Sequence, residues 1–188
     1  CRFFERKKYI MAHQVETMAY AGETPWHGLG TRVSNDLSVD EMLVQSGLNW
    51  KVNALPVVGK LASGEEIKSD HKMLVRDSDN KQLTMITDKW NPVQNHEAFN
   101  FFREFTDNGS MEMHTAGSLQ GGRWVWVLAK VSESFELFGG DKVDSYLLFS
   151  NPHIYGRGVE IRFTPTRVVC NNTLTLSLDS STDNKVRL

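Results

Sequence analysis

Residues 123–131, RWVWVLAKV, constrain the fold more than any other stretch of the chain. Side chains alternate along a strand, so Trp124, Trp126 and Leu128 fall on one pleat face and Val125, Val127 and Ala129 on the other. A strand that is apolar on both faces needs cover on both, which places this one at the centre of a sheet. Gly121-Gly122 ahead of it reads as a turn from a strand over 111–116. Gly139-Gly140-Asp141 reads as a second turn, leading to a short strand over 146–149. With 188 residues, 40% of them apolar, the chain can build one domain with a substantial core.

The elements around that strand carry clear local signals. Ser38 and Glu41 form a capping box, Leu37 and Met42 a hydrophobic staple, and Gly47 closes the short helix between them. Leu48, Trp50 and Val52 then alternate as a strand ending near Pro56. Residues 71–87 read as a hairpin turning at 77–80. Asn95 is the expected cap of a helix over 95–106, in which Ala98, Phe101, Phe102 and Phe105 share one face as core. Residues 11–30 hold no period of 2 or 3.6 and are broken by Gly22, Pro25, Gly28 and Gly30. They are expected as an irregular arm anchored by Met18, Tyr20 and Trp26. The fold class is therefore α+β, a mainly antiparallel sheet covered on one face by helices.

The ends carry separate expectations. Residues 1–10 set Arg2, Arg6, Lys7 and Lys8 against Glu5 on a chain of formal charge −2, so the body is more acidic than the total suggests. Met11 reads as the natural start, with 1–10 a leader, 11–178 the single domain, and 179–188 a polar, mobile tail opening a missing C-terminal region. No apolar run approaches the roughly 18 residues that a membrane helix needs, and no signal-peptide pattern follows the basic start. Two cysteines, Cys1 and Cys170, cannot build a disulfide framework, which fits a reduced cytoplasmic protein. The six histidines lack paired ligand spacing, so neither a metal nor another cofactor is expected.

Chemistry concentrates in residues 156–178, GRGVEIRFTPTRVVCNNTLTLSL. Alternation puts Val159, Ile161 and Phe163 on one face of a strand and Glu160, Arg162 and Thr164 on a polar face. Thr164-Pro165 then has the form of a helix start, and the helix reading is preferred over the strand-like alternation of 173–178. Arg157, Arg162 and Arg167 outweigh Glu160, with the amides of Asn171 and Asn172 beside them. If the hairpin packs alongside, Lys72, Arg76, Lys89 and Trp90 widen a basic, aromatic stripe of the kind that holds single-stranded nucleic acid. An enzyme is the other expectation. Cys170 would be a thiol nucleophile near a helix N-terminus, with His27 or His153 as acid/base partner and Asn171 as orienting amide. No glycine-rich phosphate loop ending in Lys-Ser/Thr occurs.

Four stretches in order, MAHQVETMAYAGETPWHGLG, WNPVQNHEAFNFF, GSLQGGRWVWVLAK and FTPTRVVCNNTL, resemble an uncharacterised phage/plasmid-like protein family, a domain of unknown function. The resemblance covers Met11 to about Leu178. Its signature positions fall on Glu16, Thr17, Pro25, Trp26, His27, Gly28, Gly30, Asn95, Gly121, Gly122, Arg167, Val169, Cys170, Asn172, Thr173 and Leu174. Asn171 departs from the pattern, where glutamine is more usual. The resemblance implies a phage, prophage or plasmid product in a bacterial cytoplasm, serving replication, recombination or counter-defence. It leads to the expectation of an oligomeric protein that binds or anneals single-stranded DNA. Its alternative is a counter-defence protein or thiol enzyme using Cys170 and His27.

Overall fold

The computed structural model describes residues 14–132, 135–136, 142–179 and 185–187. In chain order these form β1 (Val15–Tyr20), β2 (Thr31–Arg32), α1 (Val39–Gln45), β3 (Val52–Lys60), β4 (Glu66–Arg76), β5 (Gln82–Thr87), α2 (Asn95–Asp107), β6 (Met111–Leu119) and β7 (Trp124–Val131). They continue with β8 (Phe135–Glu136), β9 (Lys142–Val143), β10 (Tyr146–Pro152), β11 (Glu160–Thr164), α3 (Asn171–Asp179) and β12 (Lys185–Arg187). The expected leader over 1–10 and the turn at Gly139-Gly140-Asp141 lie outside the described residues.

A seven-stranded sheet runs β12-β11-β10-β7-β6-β1-β2 and puts β7 at its middle. Its pairs are antiparallel apart from β1 with β2. The double-sided alternation of β7 is realised as two cores. Val125, Val127 and Ala129 join Phe99, Phe102, Met42 and Leu74 under α1 and α2. Trp126 and Leu128 join Leu148, Val168, Cys170 and Leu174 under the 164–178 segment. A side chain of Trp126 size, with no exposed surface, contributes on the order of 2–3 kcal/mol by leaving water.

The fold is α+β as expected, yet four local expectations are corrected. Residues 15–20 are not an irregular arm but β1, paired with β6 through Met18↔Gly117 and Ala19↔Ala116. Their alternation is blurred because Met18, Ala19 and Tyr20 are all buried, one core on each side. The antiparallel strands are not one sheet, since β3-β4-β5 form a separate three-stranded sheet. The cap of α2 is Gln94, in a capping box with Glu97, and Asn95 is turned inward. Asn95 Nδ2 donates to Leu48 O at 3.0 Å and to Trp50 O at 3.4 Å, which ties the coil before β3 to the helix start. Lys185–Arg187, read from sequence as part of a polar tail, pair with β11 as β12. Ser38 and Glu41 form their capping box as read, and α2 buries Ala98, Phe99 and Phe102. Among the described residues no helix is long and apolar enough to cross a membrane.

Candidate functional site

The segment from Thr164 to Asp179 crosses the face of the seven-stranded sheet opposite α1 and α2, and two clefts open beside it. The helix does not start at Pro165. Residues 165–170 are irregular, Thr164 Oγ1 accepts from Thr166 N at 3.0 Å, and α3 begins at Asn171. Thr173 Oγ1 accepts from the N–H groups of Val169 and Cys170, each at 3.0 Å, and so satisfies donors that the helix start leaves open. Val168 O accepts from Thr115 Oγ1 at 2.7 Å, and His27 Nε2 lies 2.9 Å from Val169 O. His27 Nδ1 accepts from Leu29 N at 3.1 Å, so Nε2 carries the proton and donates. His27 is thereby a tie between the 21–30 loop and this segment.

That geometry bears on each expected site residue. Cys170 is 1% exposed, with its thiol 3.5 Å from Thr173 Oγ1, and both nitrogens of His27 hold backbone partners. A thiol enclosed in this way does not meet a substrate, and the thiol-enzyme alternative finds no support. His153, the other suggested partner, is fully buried beside Trp50.

Arg162 does not face solvent. It is 2% exposed because α3 folds over the polar face of β11. Its Nη1 donates to Ser177 O at 2.6 Å and Leu178 O at 2.8 Å, and its Nη2 pairs with Glu160 at 2.5 Å. A cation at the C-terminal carbonyls of a helix satisfies acceptors and complements the helix dipole. Arg76 is likewise internal, 7% exposed. It forks onto Glu16 at 2.9 and 3.0 Å, pairs with Asp79 at 2.6 Å, and sits over the Trp50 ring. Together with Lys81 and the Gly121-Gly122 turn it clasps β1 to the β4–β5 hairpin.

The remaining residues do not make one stripe. Lys72 pairs with Asp88 at 3.0 Å, Lys89 is exposed, and Trp90 packs at the edge of the core under α2. The hairpin that carries them contributes Leu74, Leu83 and Ile86 to that same core, across the sheet from α3. Arg157, Arg167, Asn171 and Asn172 stay on the α3 side. Arg157 and Asn172 are exposed, while Arg167 and Asn171 are partly buried.

One cleft, of about 430 Å³, runs along α3 and is lined by Gln120, Trp124, Arg157, Asn171 and Asp179 among others. The indole N–H of Trp124 donates to Ser150 Oγ at 2.7 Å, which fixes the ring plane. The Arg157 guanidinium stands 6.0 Å from the ring centroid. Gln120 Nε2 donates to Asn171 Oδ1 at 3.4 Å at the solvent-exposed rim.

The second cleft, of about 520 Å³, is lined by His114, Lys130, Asp144, Tyr146, Arg167 and the 21–23 backbone. Arg167 Nη2 donates to Ala21 O at 2.9 Å and Glu23 O at 2.7 Å, so main-chain carbonyls hold it. Burial depresses its pKa. His114 packs edge-on against Tyr146, with centroids 5.1 Å apart. Burial, reinforced by Arg167 and Lys130, pushes its pKa down to about 4, so the imidazole is neutral at pH 7. Burial also raises the Tyr146 phenol, helped by Asp144. Lys130 pairs with Asp144 at 2.8 Å and holds that carboxyl below its usual range.

Sequence reasoning missed His114, Tyr146 and the role of Trp124 in a cleft. The register of β6 against β7 slips between Met113 and Thr115, and His114 is the residue left over. A bulge re-aims a side chain, so strict alternation along 111–119 could not locate it. Among the described residues no three His, Cys, Asp or Glu side chains converge to hold a metal ion.

No curated protein and no solved structure matches the chain. A family model does, over residues 82–188, a span that contains α2, α3, the centre of the large sheet and most of both clefts. The chain belongs to the family described as Domain of unknown function (DUF932).

Proposed function

We propose that this domain binds single-stranded nucleic acid at the Trp124–Arg157 cleft, with a base held between the indole and the guanidinium face and the adjoining phosphate at the guanidinium's edge. The observation that carries the reading is the exposed Arg157 poised over an indole whose plane Ser150 fixes. Stacked rings sit about 3.4 Å apart, so a base held between indole and guanidinium needs roughly 7 Å. The 6.0 Å separation leaves about 1 Å for an exposed arginine side chain to open. The Gln120 and Asn171 amides, which also line the cleft, supply donors and acceptors for base edges. Glu160, the carboxylate nearest in sequence to Arg157 in this cleft, is engaged by Arg162.

In this reading the contact is local. That suits an acidic body, on whose α3 side the described residues form no long cationic stripe. A role in replication or recombination of a phage or plasmid in a bacterial cytoplasm belongs to the same proposal, as does assembly into an oligomer. Support for assembly comes from the β3–β4 ribbon, which exposes Leu55 and Val58 on the edge strand β3, Leu61 in the turn after it and Ile67 on β4.

The test is equilibrium binding of an unstructured oligonucleotide across a salt series, followed by tryptophan quenching. Trp124→Leu should weaken binding about 5- to 100-fold, the stacking contribution of one base. Arg157→Ala should lower the slope of log K against log salt by about 0.7, the loss of one phosphate contact. Absence of binding at low salt, or unchanged affinity in both variants, would refute the proposal.

A further inference from the structure

The second cleft, on the far side of the 164–170 segment, carries chemistry that a stacking site does not use. Arg167 is partly buried, yet the groups that orient it are two neutral carbonyls, Ala21 O and Glu23 O, both on Nη2. Nε is buried without a partner, and Nη1 makes no protein hydrogen bond among the described residues. A desolvated guanidinium without a carboxylate forfeits hydration and gains little in return. Beside it the imidazole of His114 is turned out of register by the β6 bulge. Its Nδ1 is buried and unpartnered, and any side chain at Gly22 would begin 3.8 Å from Nε2, on the wall of the same cleft. Lys130 adds a second cation, anchored by Asp144, and the Tyr146 hydroxyl reaches 3.5 Å from that same carboxylate. Glu23 and Glu112 also line the cleft, and Glu23 favours the charged guanidinium, but both are exposed, so water and salt screen them, and neither makes a hydrogen bond to Arg167 among the described residues.

We propose that this cleft is a binding site for a compact oxyanion, a phosphate or carboxylate group, received by Arg167 Nη1 and by His114 and Lys130. The fit is physical. A bound oxyanion supplies the charge that Arg167 lacks, and a charge-assisted hydrogen bond is strongest where water is already partly excluded. The two carbonyls on Nη2 hold the guanidinium plane in place before the ligand arrives, so little side-chain freedom is lost on binding. Binding an anion also favours the protonated imidazole, so His114 would take up a proton as the site fills. This inference is independent of the Trp124–Arg157 reading, because the two clefts share no residue.

The experiment is a titration of the whole protein with inorganic phosphate at constant ionic strength, read by the NMR signals of the His114 ring and the Gly22 amide. Saturable shifts at both, with the His114 pKa rising on saturation, are the expected result. Arg167→Ala should weaken phosphate binding about tenfold or more, the worth of one charge-assisted hydrogen bond. Because Arg167 also ties down the 21–23 backbone, His114→Phe is the second variant. It keeps the ring against Tyr146 and should weaken binding through the lost imidazole alone. Arg157→Ala should leave phosphate binding unchanged. Competition by an oligonucleotide would identify the oxyanion as a phosphodiester, and its failure to compete would identify a small free ligand. No saturable shift with phosphate or acetate, or equal affinity in the wild type and both cleft variants, would overturn the assignment.

Discussion

Acidification to about pH 5 should remove roughly 2 kcal/mol of folding stability through His153 alone, well before carboxylates protonate. The tautomer follows from its partner. Asn95 Nδ2 is spent on Leu48 O and Trp50 O, so its Oδ1 is the acceptor for the His153 Nε2–H at 3.0 Å. That leaves Nδ1 bare, buried and without a partner, on a ring that packs against Trp50 and has no exposed surface. A proton on Nδ1 would put a charge and an unmatched donor into the core. Burial accordingly pushes the pKa from 6.5 to about 4.

The folded-state value is depressed, so the unfolded chain takes up the proton first. Stability is complete above about pH 6.5, falls by about 1.4 kcal/mol per unit below it, and levels off under about pH 4 with about 3 kcal/mol lost. The assay is urea unfolding between about pH 7 and 5, comparing the wild type with His153→Gln. The glutamine amide can still donate to Asn95 but does not titrate, while His114 remains in both proteins and its contribution cancels. The variant should be less stable at neutral pH and should close the gap by about 2 kcal/mol as the pH falls. Parallel stability curves would refute the argument.

Two further outcomes follow from the same packing. Gly122→Ala should cost about 2–4 kcal/mol, since φ is +85° and the new Cβ would lie 2.7 Å from Arg76 Nη1, whereas Gly64→Ala, at φ +88° with nothing within 4 Å, should cost about 1 kcal/mol. Equal losses in urea unfolding would show that the Arg76 clasp is not disturbed. In a Cys1→Ser background Cys170, 1% exposed, should react with a thiol reagent only at the rate of unfolding. Fast labelling of the native protein would return the nucleophile reading to consideration.

Much of the fold was legible because its signals are local. The Ser38–Glu41 box, the Gly121-Gly122 turn, the phenylalanine-rich face of α2 and the two-sided β7 each depend on residues within a turn or two of one another. The candidate site was less legible. Its Arg157 and Asn171 were named from sequence, but Trp124 read only as core and His114 was hidden by a bulge. Likewise glycines 121 and 122 and the acidic Glu16 belong to a clasp around Arg76, and 60 residues of chain separate Glu16 from that partner.

Taken by itself, the order of residues determined which side chains share a face, since backbone geometry imposes that period whatever surrounds it. Whether a face meets water or protein depended on what folds back over it. In β11 Arg162 and Thr164 do lie together, but α3 returns across them and turns a polar strand face into the socket for its own last carbonyls. A guanidinium suits either setting, with water or with fixed acceptors as partners, and only the tertiary path of the chain chose between them.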